Sequence, residues 1–169
     1  MIRRDHVTDT AASWALYSPC ETYRYALTRV WDDGGRRLGF VMLNPSTASE
    51  VKNDPTVERC ERRARTLGYG AFRVTNIFAF RATDPRDLKA AAEPVGAAND
   101  DALRDAVDWA DTVIAAWGAH GDHLGRGAEV RTLLRDTKAD LYHLGLTMGG
   151  HPRHPLYVSY AQRPQAWIV

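Results

Sequence analysis

Residues 38–47, LGFVMLNPST, decide how this chain is read. The first six are an almost unbroken apolar run. A strand with one wet face alternates apolar and polar side chains, whereas a strand covered on both faces need not. Residues 38–43 therefore read as a central strand of a covered sheet. Pro45 ends it, because proline has no N–H to give to a ladder. Upstream, residues 23–31 (YRYALTRVW) alternate and are rich in aromatic and β-branched side chains, which predicts a strand. Asp32-Asp33-Gly34-Gly35 between them reads as a hairpin turn, since these residues tolerate positive φ.

Downstream, strands and helices alternate. Asp54-Pro55 opens a helix: Asp54 can cap it and Pro55 suits its first position. Val57, Cys60, Ala64 and Leu67 share one face, and Gly68 stops the helix. Residues 71–80 read as a strand. Asp84-Pro85 repeats the helix-start signal, and Asn99 is expected to cap a helix reaching about residue 110. Residues 112–117 predict a buried strand, 125–135 a helix and 140–144 a short strand. The expectation is a three-layer α/β/α sandwich with a mostly parallel central sheet plus an N-terminal β-hairpin, all in one domain, 1–169.

Composition bounds the function. At 169 residues, 44% hydrophobic and 25% charged, the chain is an ordinary globular domain. It buries about 70% of its extended-chain surface on folding, enough for a core without metal or disulfide staples. No apolar run nears the roughly 20 residues of a membrane helix. Two cysteines, Cys20 and Cys60, form no disulfide scaffold, and a cytoplasmic chain with free thiols is expected. Net charge is +1, which excludes a strongly basic nucleic-acid binder. The sum hides an asymmetry: residues 52–89 carry +4 and residues 90–122 carry −6. A local phosphate-binding face remains open.

Ligands of open α/β sheets bind at the carboxyl ends of the parallel strands. The segments expected there hold the least ordinary residue choices. Asn44-Pro45-Ser46-Thr47 offers an amide for a water or ligand, a stiffening proline, and two hydroxyls for an anion; a strand-ending turn held by Asx and Ser/Thr hydrogen bonds is the plainer account. Asn76 interrupts an apolar strand. Its amide matches a nucleobase edge, and Phe78 or Phe80 could stack on that base; otherwise Asn76 bonds to backbone and the rings are core. His151-Pro152-Arg153-His154-Pro155 is a rigid loop with two imidazoles for a developing oxyanion and an arginine for phosphate. Arg59 and Arg62, with Arg63 and Arg65, form a basic helix face, either solvated and paired with Glu58 and Glu61 or in contact with a nucleic-acid backbone. His120, Asp122 and His123 have a spacing that could ligate a metal, or form a polar loop.

Taken together, Tyr23-Arg24-Tyr25, residues 43–48 (LNPSTA), Asn53-Asp54-Pro55-Thr56, residues 76–79 (NIFA), residues 81–85 (RATDP), Asn99-Asp100, Ala116-Trp117-Gly118 and residues 152–157 (PRHPLY) resemble the domain-of-unknown-function family numbered 1643. That resemblance spans nearly the whole chain and carries no activity. The order of the motifs is more distantly similar to the uracil-DNA glycosylase superfamily. This second resemblance implies a glycosylase-like fold in which Asn44 positions the attacking water and Asn76 reads the base. His154, or else His151, would stabilise the departing base. Ser46 stands where the mismatch-specific class has Gly, and the Asp of other classes is missing from the first motif.

The reading is an N-glycosidic bond hydrolase acting on a nucleobase in nucleic acid or a nucleotide, with DNA the expected partner and no membrane. Asn44, His154 and His151 are the candidate reacting groups. Asn76, Phe78, Phe80 and Pro45 are the candidates for base binding. Ser46, Thr47, Arg153, Arg59 and Arg62 are those for phosphate or nucleic acid. This chemistry needs no metal or organic cofactor, and a monomer suffices. The alternatives are a non-catalytic nucleic-acid or nucleotide binder on the same fold, and a metal-dependent hydrolase built on His120, Asp122 and His123.

Overall fold

The computed structural model describes residues 1–169 as a mixed α/β fold with four helices around one eight-stranded sheet. The strands are β1 (Ile2–Val7), β2 (Ala12–Tyr17), β3 (Arg24–Val30), β4 (Arg37–Met42), β5 (Ala71–Asn76), β6 (Thr112–Ala116), β7 (Asp140–His143) and β8 (Gln165–Ala166). The helices are α1 (Pro55–Thr66), α2 (Pro85–Ala90), α3 (Asn99–Trp109) and α4 (Arg126–Leu134). The sheet order is β1-β2-β3-β5-β4-β6-β7-β8. The run β5-β4-β6-β7 pairs in parallel, while β1-β2, β2-β3, β3-β5 and β7-β8 pair antiparallel.

This corrects two expectations. The sheet is not mostly parallel, because four of its seven pairings are antiparallel. And residues 23–31 and 38–43 do not form a hairpin, because β5 lies between them. The turn that joins them wraps the start of β5 instead. Trp31 and Asp32 both donate their N–H to the Gly70 carbonyl, at 3.0 and 2.9 Å, and the Gly70 N–H donates to the Arg36 carbonyl at 2.8 Å. A Cβ on Gly70 would stand 2.3 Å from the Asp32 carbonyl oxygen, so only glycine fits there. The antiparallel block is extended by β1, which is polar and mostly exposed, and by β2, whose buried positions Ser13 and Ala15 are small, so neither carries a strong apolar alternation.

The apolar run of β4 is covered on both faces. Leu38, Phe40 and Met42 join Phe72, Val74 and Ile114 in a core beneath α1, which contributes Val57, Cys60 and Ala64. Val41 and Leu43 face the other way, into a core with Leu103 and Val107 of α3 and Val130 and Leu134 of α4. Two-residue alternation on β4 against the 3.6-residue stripe of each helix produces this division. Burying one such leucine or phenylalanine side chain contributes roughly 1.5–3 kcal/mol.

The helix starts behave as their sequences dictate. Asp54 caps α1 through Oδ1, which accepts from the Val57 N–H at 2.9 Å, and Asp84 caps α2 by accepting from the Arg86 N–H at 2.8 Å. Asn99 does not cap α3. The cap position is Ala98, and the buried Asn99 amide donates to the Asn76 and Ile77 carbonyls at 2.9 and 3.1 Å. It fastens the helix to the end of β5.

The basic face of α1 is also structural. Arg59 Nε donates to the Pro155 carbonyl at 3.0 Å, and its terminal nitrogen to that of Val158. Arg63 donates to the Gln162 and Ser159 carbonyls at 2.8 and 3.1 Å. Both guanidiniums stack on Tyr160. Arg62 pairs with Glu58 and Arg65 with Glu61, one turn apart on the surface. Of the two arginines expected at phosphate, Arg59 is occupied by the chain's own carbonyls, and Arg62 is exposed with Glu58 as its partner.

These two kinds of arginine should differ sharply on truncation. Because hydrogen bonds to charged donors contribute about 1.5–3 kcal/mol each, Arg63→Ala is expected to cost about 2–4 kcal/mol in urea unfolding. It should also raise amide exchange in residues 155–162. Arg62→Ala, an exposed i,i+4 partner, should leave the midpoint where it is. Equal effects from both variants would refute this assignment.

Candidate functional site

A cleft of about 630 Å³ opens at the carboxyl ends of the four parallel strands. Each strand sends its following loop there. Leu43, Asn44, Ser46 and Thr47 come from β4, and Ala82, Thr83 and Pro85 from beyond β5. Trp117 to His120 follow β6, and Thr147, Arg153, His154, Leu156 and Tyr157 follow β7. Asp54, Pro55 and Thr56, at the start of α1, complete the wall.

Backbone hydrogen bonds stitch these loops in pairs. The Ile77 and Phe78 N–H groups donate to the Met42 and Leu43 carbonyls, and that of Ala82 to the Pro45 carbonyl. On the opposite wall the Gly118 N–H donates to the Pro152 carbonyl at 2.7 Å, and the Arg153 N–H to that of Gly145 at 2.9 Å. Gly118 has φ +76° and ψ −175°, a region open essentially to glycine alone, and a Cβ there would lie 3.3 Å from the His154 Cβ. Its bare backbone lets the His154 loop close against the end of β6.

Asn44 spends its donors on the wall. Its Nδ2 donates to the Ala82 carbonyl at 2.8 Å, to that of Pro45 at 3.1 Å and to that of Phe80 at 3.3 Å. An amide has two N–H donors and one oxygen acceptor. With the nitrogen held on these carbonyls, Oδ1 is the group Asn44 has left to offer, and it is fixed as an acceptor. Ser46 and Thr83 share a hydroxyl hydrogen bond of 2.8 Å across the same wall.

His154 is held in a defined protonation state. Its Nδ1 accepts from the Leu156 N–H at 3.3 Å, so that nitrogen is bare and the neutral ring carries its proton on Nε2. Burial pushes the imidazole down to about 4; Asp54 opposes this and His120 adds to it. At neutral pH His154 is an uncharged Nε2–H donor.

The remaining candidates fall in three places. Ser46, Thr47 and Arg153 line the cleft with Asn44 and His154. Arg153 is exposed, and its guanidinium makes no ion pair or hydrogen bond within the chain. Pro45 is buried behind the wall. His151 sits in the turn with Thr147, whose hydroxyl accepts the His151 N–H at 3.1 Å, and its ring is not part of the cleft lining. Asn76, Phe78 and Phe80 also lie off the cleft. Alternation along β5 turns Asn76 to the same face as Phe72 and Val74, where it is 1% exposed and neither Oδ1 nor Nδ2 has a partner. Phe78 is fully buried in the second core against His123, and Phe80 packs edge-on to Tyr23. The base-reading and stacking roles expected of these three are corrected accordingly.

Sequence reading missed several lining residues. Asp54 carried a complete explanation as a helix cap, yet its carboxylate also faces the cleft, with Oδ2 accepting from the Ala48 N–H at 3.2 Å. Tyr157, 82% exposed at the mouth, lies inside the PRHPLY motif, where a tyrosine has no pattern of its own that points to a cleft. Thr56, Thr83 and Thr147 have no local signal, because only the meeting of four loops makes them neighbours, and His120, a candidate metal ligand by its spacing, lines the cleft instead. His120, Asp122 and His123 do not converge: no group of three or more His, Cys, Asp or Glu side chains is placed to hold a metal ion. No helix is long and apolar enough to cross a membrane.

The chain belongs to the family described as protein of unknown function (DUF1643), whose model matches residues 24–156. That span runs from the start of β3 to the His154 loop and so includes every strand end that feeds the cleft. No curated protein and no solved structure matches the chain.

The protonation state of His154 is directly measurable. Its folded pKa lies below the roughly 6.5 of an unfolded histidine, so the unfolded chain binds the extra proton first. The stability His154 contributes is fully present above about pH 6.5 and is lost progressively as pH falls toward 4. Imidazole nitrogen chemical shifts should report a neutral Nε2–H ring at pH 6, and His154→Gln should flatten the stability profile between pH 6.5 and 4. Titration of His154 near 6.5 would contradict a pKa lowered by burial.

Proposed function

We propose that this protein hydrolyses an N-glycosidic bond, releasing a nucleobase from a nucleotide or nucleic acid, on an α/β/α scaffold of the uracil-DNA-glycosylase type. One observation carries the reading. A single cleft at the strand ends holds an amide whose only spare group is an acceptor and a neutral imidazole whose spare group is a donor.

These are the two groups the bond cleavage calls for. Asn44 Oδ1 accepts from a water and turns the water's lone pair toward the anomeric carbon. The water oxygen bonds to that carbon as the carbon–nitrogen bond breaks, and the bonding pair leaves on the base nitrogen. His154 Nε2–H donates a hydrogen bond to the anion that develops on the base. A preorganised donor in a partly desolvated site stabilises such charge without reorganising, and loss of one commonly costs about 10²–10³ in rate. A water proton ends on the departing base, so the products are a free base and a sugar hydroxyl. Neutrality of His154 matters, because the donor then works unchanged across the physiological range.

The fold supports the same reading through the order of its motifs. Asn-Pro follows the first parallel strand, and His-Pro-Leu follows the last, as the resemblance requires. Base selection does not run through Asn76 in this reading, because that amide is behind the wall. Tyr157 and Trp117 are the aromatic rings on the cleft.

The test is base release from uracil-, hypoxanthine- and mismatch-containing oligonucleotides and from the matching nucleosides and nucleotides. Wild type should release at least one base, and Asn44→Ala and His154→Ala should each lose 100-fold or more in kcat, with folding checked by circular dichroism. Full activity in both variants, or no release across the panel, sinks the proposal.

A further inference from the structure

We infer that the substrate of this cleft is a free nucleoside 5′-monophosphate and not a nucleic-acid strand. This rests on the glycosidase reading above and narrows it.

Strand binders have two recurrent features. They carry a basic track, with several Lys or Arg side chains spaced along the backbone, and a row of aromatic platforms on which successive bases stack. The basic segment of this chain offers no such track. Arg59 and Arg63 are bound to carbonyls of the last loop, and Arg73 pairs with Asp105 and bonds to Thr28. Arg62, Arg65 and Arg86 each pair with a carboxylate on their own helix or its cap. Arg81 donates to the Glu21 carbonyl and lies over Tyr17. The guanidiniums of residues 52–89 are thereby engaged within the protein, the exposed Lys52 and Lys89 are not part of the cleft lining, and Asp54 puts a carboxylate into the cleft itself. A polyanion approaching this opening meets a single guanidinium, that of Arg153, and no row of them.

The aromatic count is equally small. Phe78 and Phe80 are packed away from the cleft, and Tyr157 is the exposed ring at its mouth. One open ring serves one base. The interior suits one nucleotide as well. About 630 Å³ falls within the 300–1,000 Å³ of sites that enclose a small ligand. Hydroxyls of Ser46, Thr47, Thr56, Thr83 and Thr147 line it and can hydrogen-bond a sugar. Arg153 is its one guanidinium, free of any protein partner and able to take a phosphate through two parallel N–H donors. One cation, one open aromatic ring and a ring of hydroxyls match one phosphate, one base and one sugar. Hydrolysis then balances with water alone: the monophosphate gives a free base and a pentose 5-phosphate.

The experiment measures base release by chromatography from ribo- and deoxyribonucleoside 5′-monophosphates, the matched nucleosides, and single- and double-stranded oligonucleotides of the same bases. The monophosphates should be cleaved with kcat/KM at least tenfold above both the nucleosides and the oligonucleotides. Arg153→Ala should bring the monophosphate-to-nucleoside ratio to within twofold of one. Oligonucleotides cleaved as well as, or better than, monophosphates overturn this inference and leave the glycosidase reading standing. Nucleosides cleaved as well as monophosphates overturn the phosphate role of Arg153. No release from any of them overturns both.

Discussion

The arrangement of this molecule depends on one close backbone approach. Gly70 lies under the turn that joins β3 to β4, accepts two of its N–H groups and donates to the third strand-linking residue, Arg36. Any side chain there would collide with the Asp32 carbonyl. The consequence is topological. With the turn closed over Gly70, β5 enters between two strands that are consecutive in sequence and becomes antiparallel to one and parallel to the other. That places the ends of β4, β5, β6 and β7 side by side and makes a four-loop cleft possible. If β3 and β4 paired directly, the loop after β5 would be one strand further from Asn44, and the carbonyls that hold its amide would be out of reach.

Charge in this protein is used mainly for construction. A near-zero net charge argues against nucleic acid, while the uneven distribution along the chain argues for a local basic face. The structure resolves the conflict by pairing. Buried or half-buried guanidiniums satisfy backbone carbonyls that helices and strands leave open, and several exposed ones sit beside carboxylates two to four residues away. Arg24 shows the principle at its limit: it is 1% exposed, donates to the Ala48 carbonyl at 2.8 Å, and burial lowers its pKa to about 10. Such groups give shape to loops. They are poorly placed to meet a ligand, whereas Arg153 is unpaired and lines the cleft.

Much of this was legible in the sequence, for identifiable reasons. The apolar run at residues 38–43, the Asp-Pro helix starts and the buried strand at residues 112–117 each carry a local pattern strong enough to fix an element. Asn44 and His154 were legible because prolines beside them mark loops at strand ends. What failed was non-local. The pattern of residues 32–35 reads as a two-strand turn, and nothing within it shows that a third strand will pass beneath. Asn76 looks like a binding group because an amide in an apolar strand is costly, and here it remains an unsatisfied buried amide for which the structure offers no partner. Arg59 looked like a ligand contact because its partners lie 96 and 99 residues away. Asp54 has a complete local explanation as a cap, and its second place, on the cleft, depends on loops far from it in sequence.

The tie between α1 and the last loop has a bearing on how the protein is made. Arg59 and Arg63 lie near the first third of the chain, and the carbonyls they bind lie between residues 155 and 162. A ribosome adding 5–20 residues per second presents α1 several seconds before those carbonyls exist. During that interval both guanidiniums remain solvated, and the wall bearing His154 has not been synthesised. The sheet core under α1 draws most of its residues from earlier strands and can condense first. The residues that complete the cleft are therefore synthesised after most of the core under α1, and a nascent chain carries that part of its apolar interior before it carries a reactive pocket.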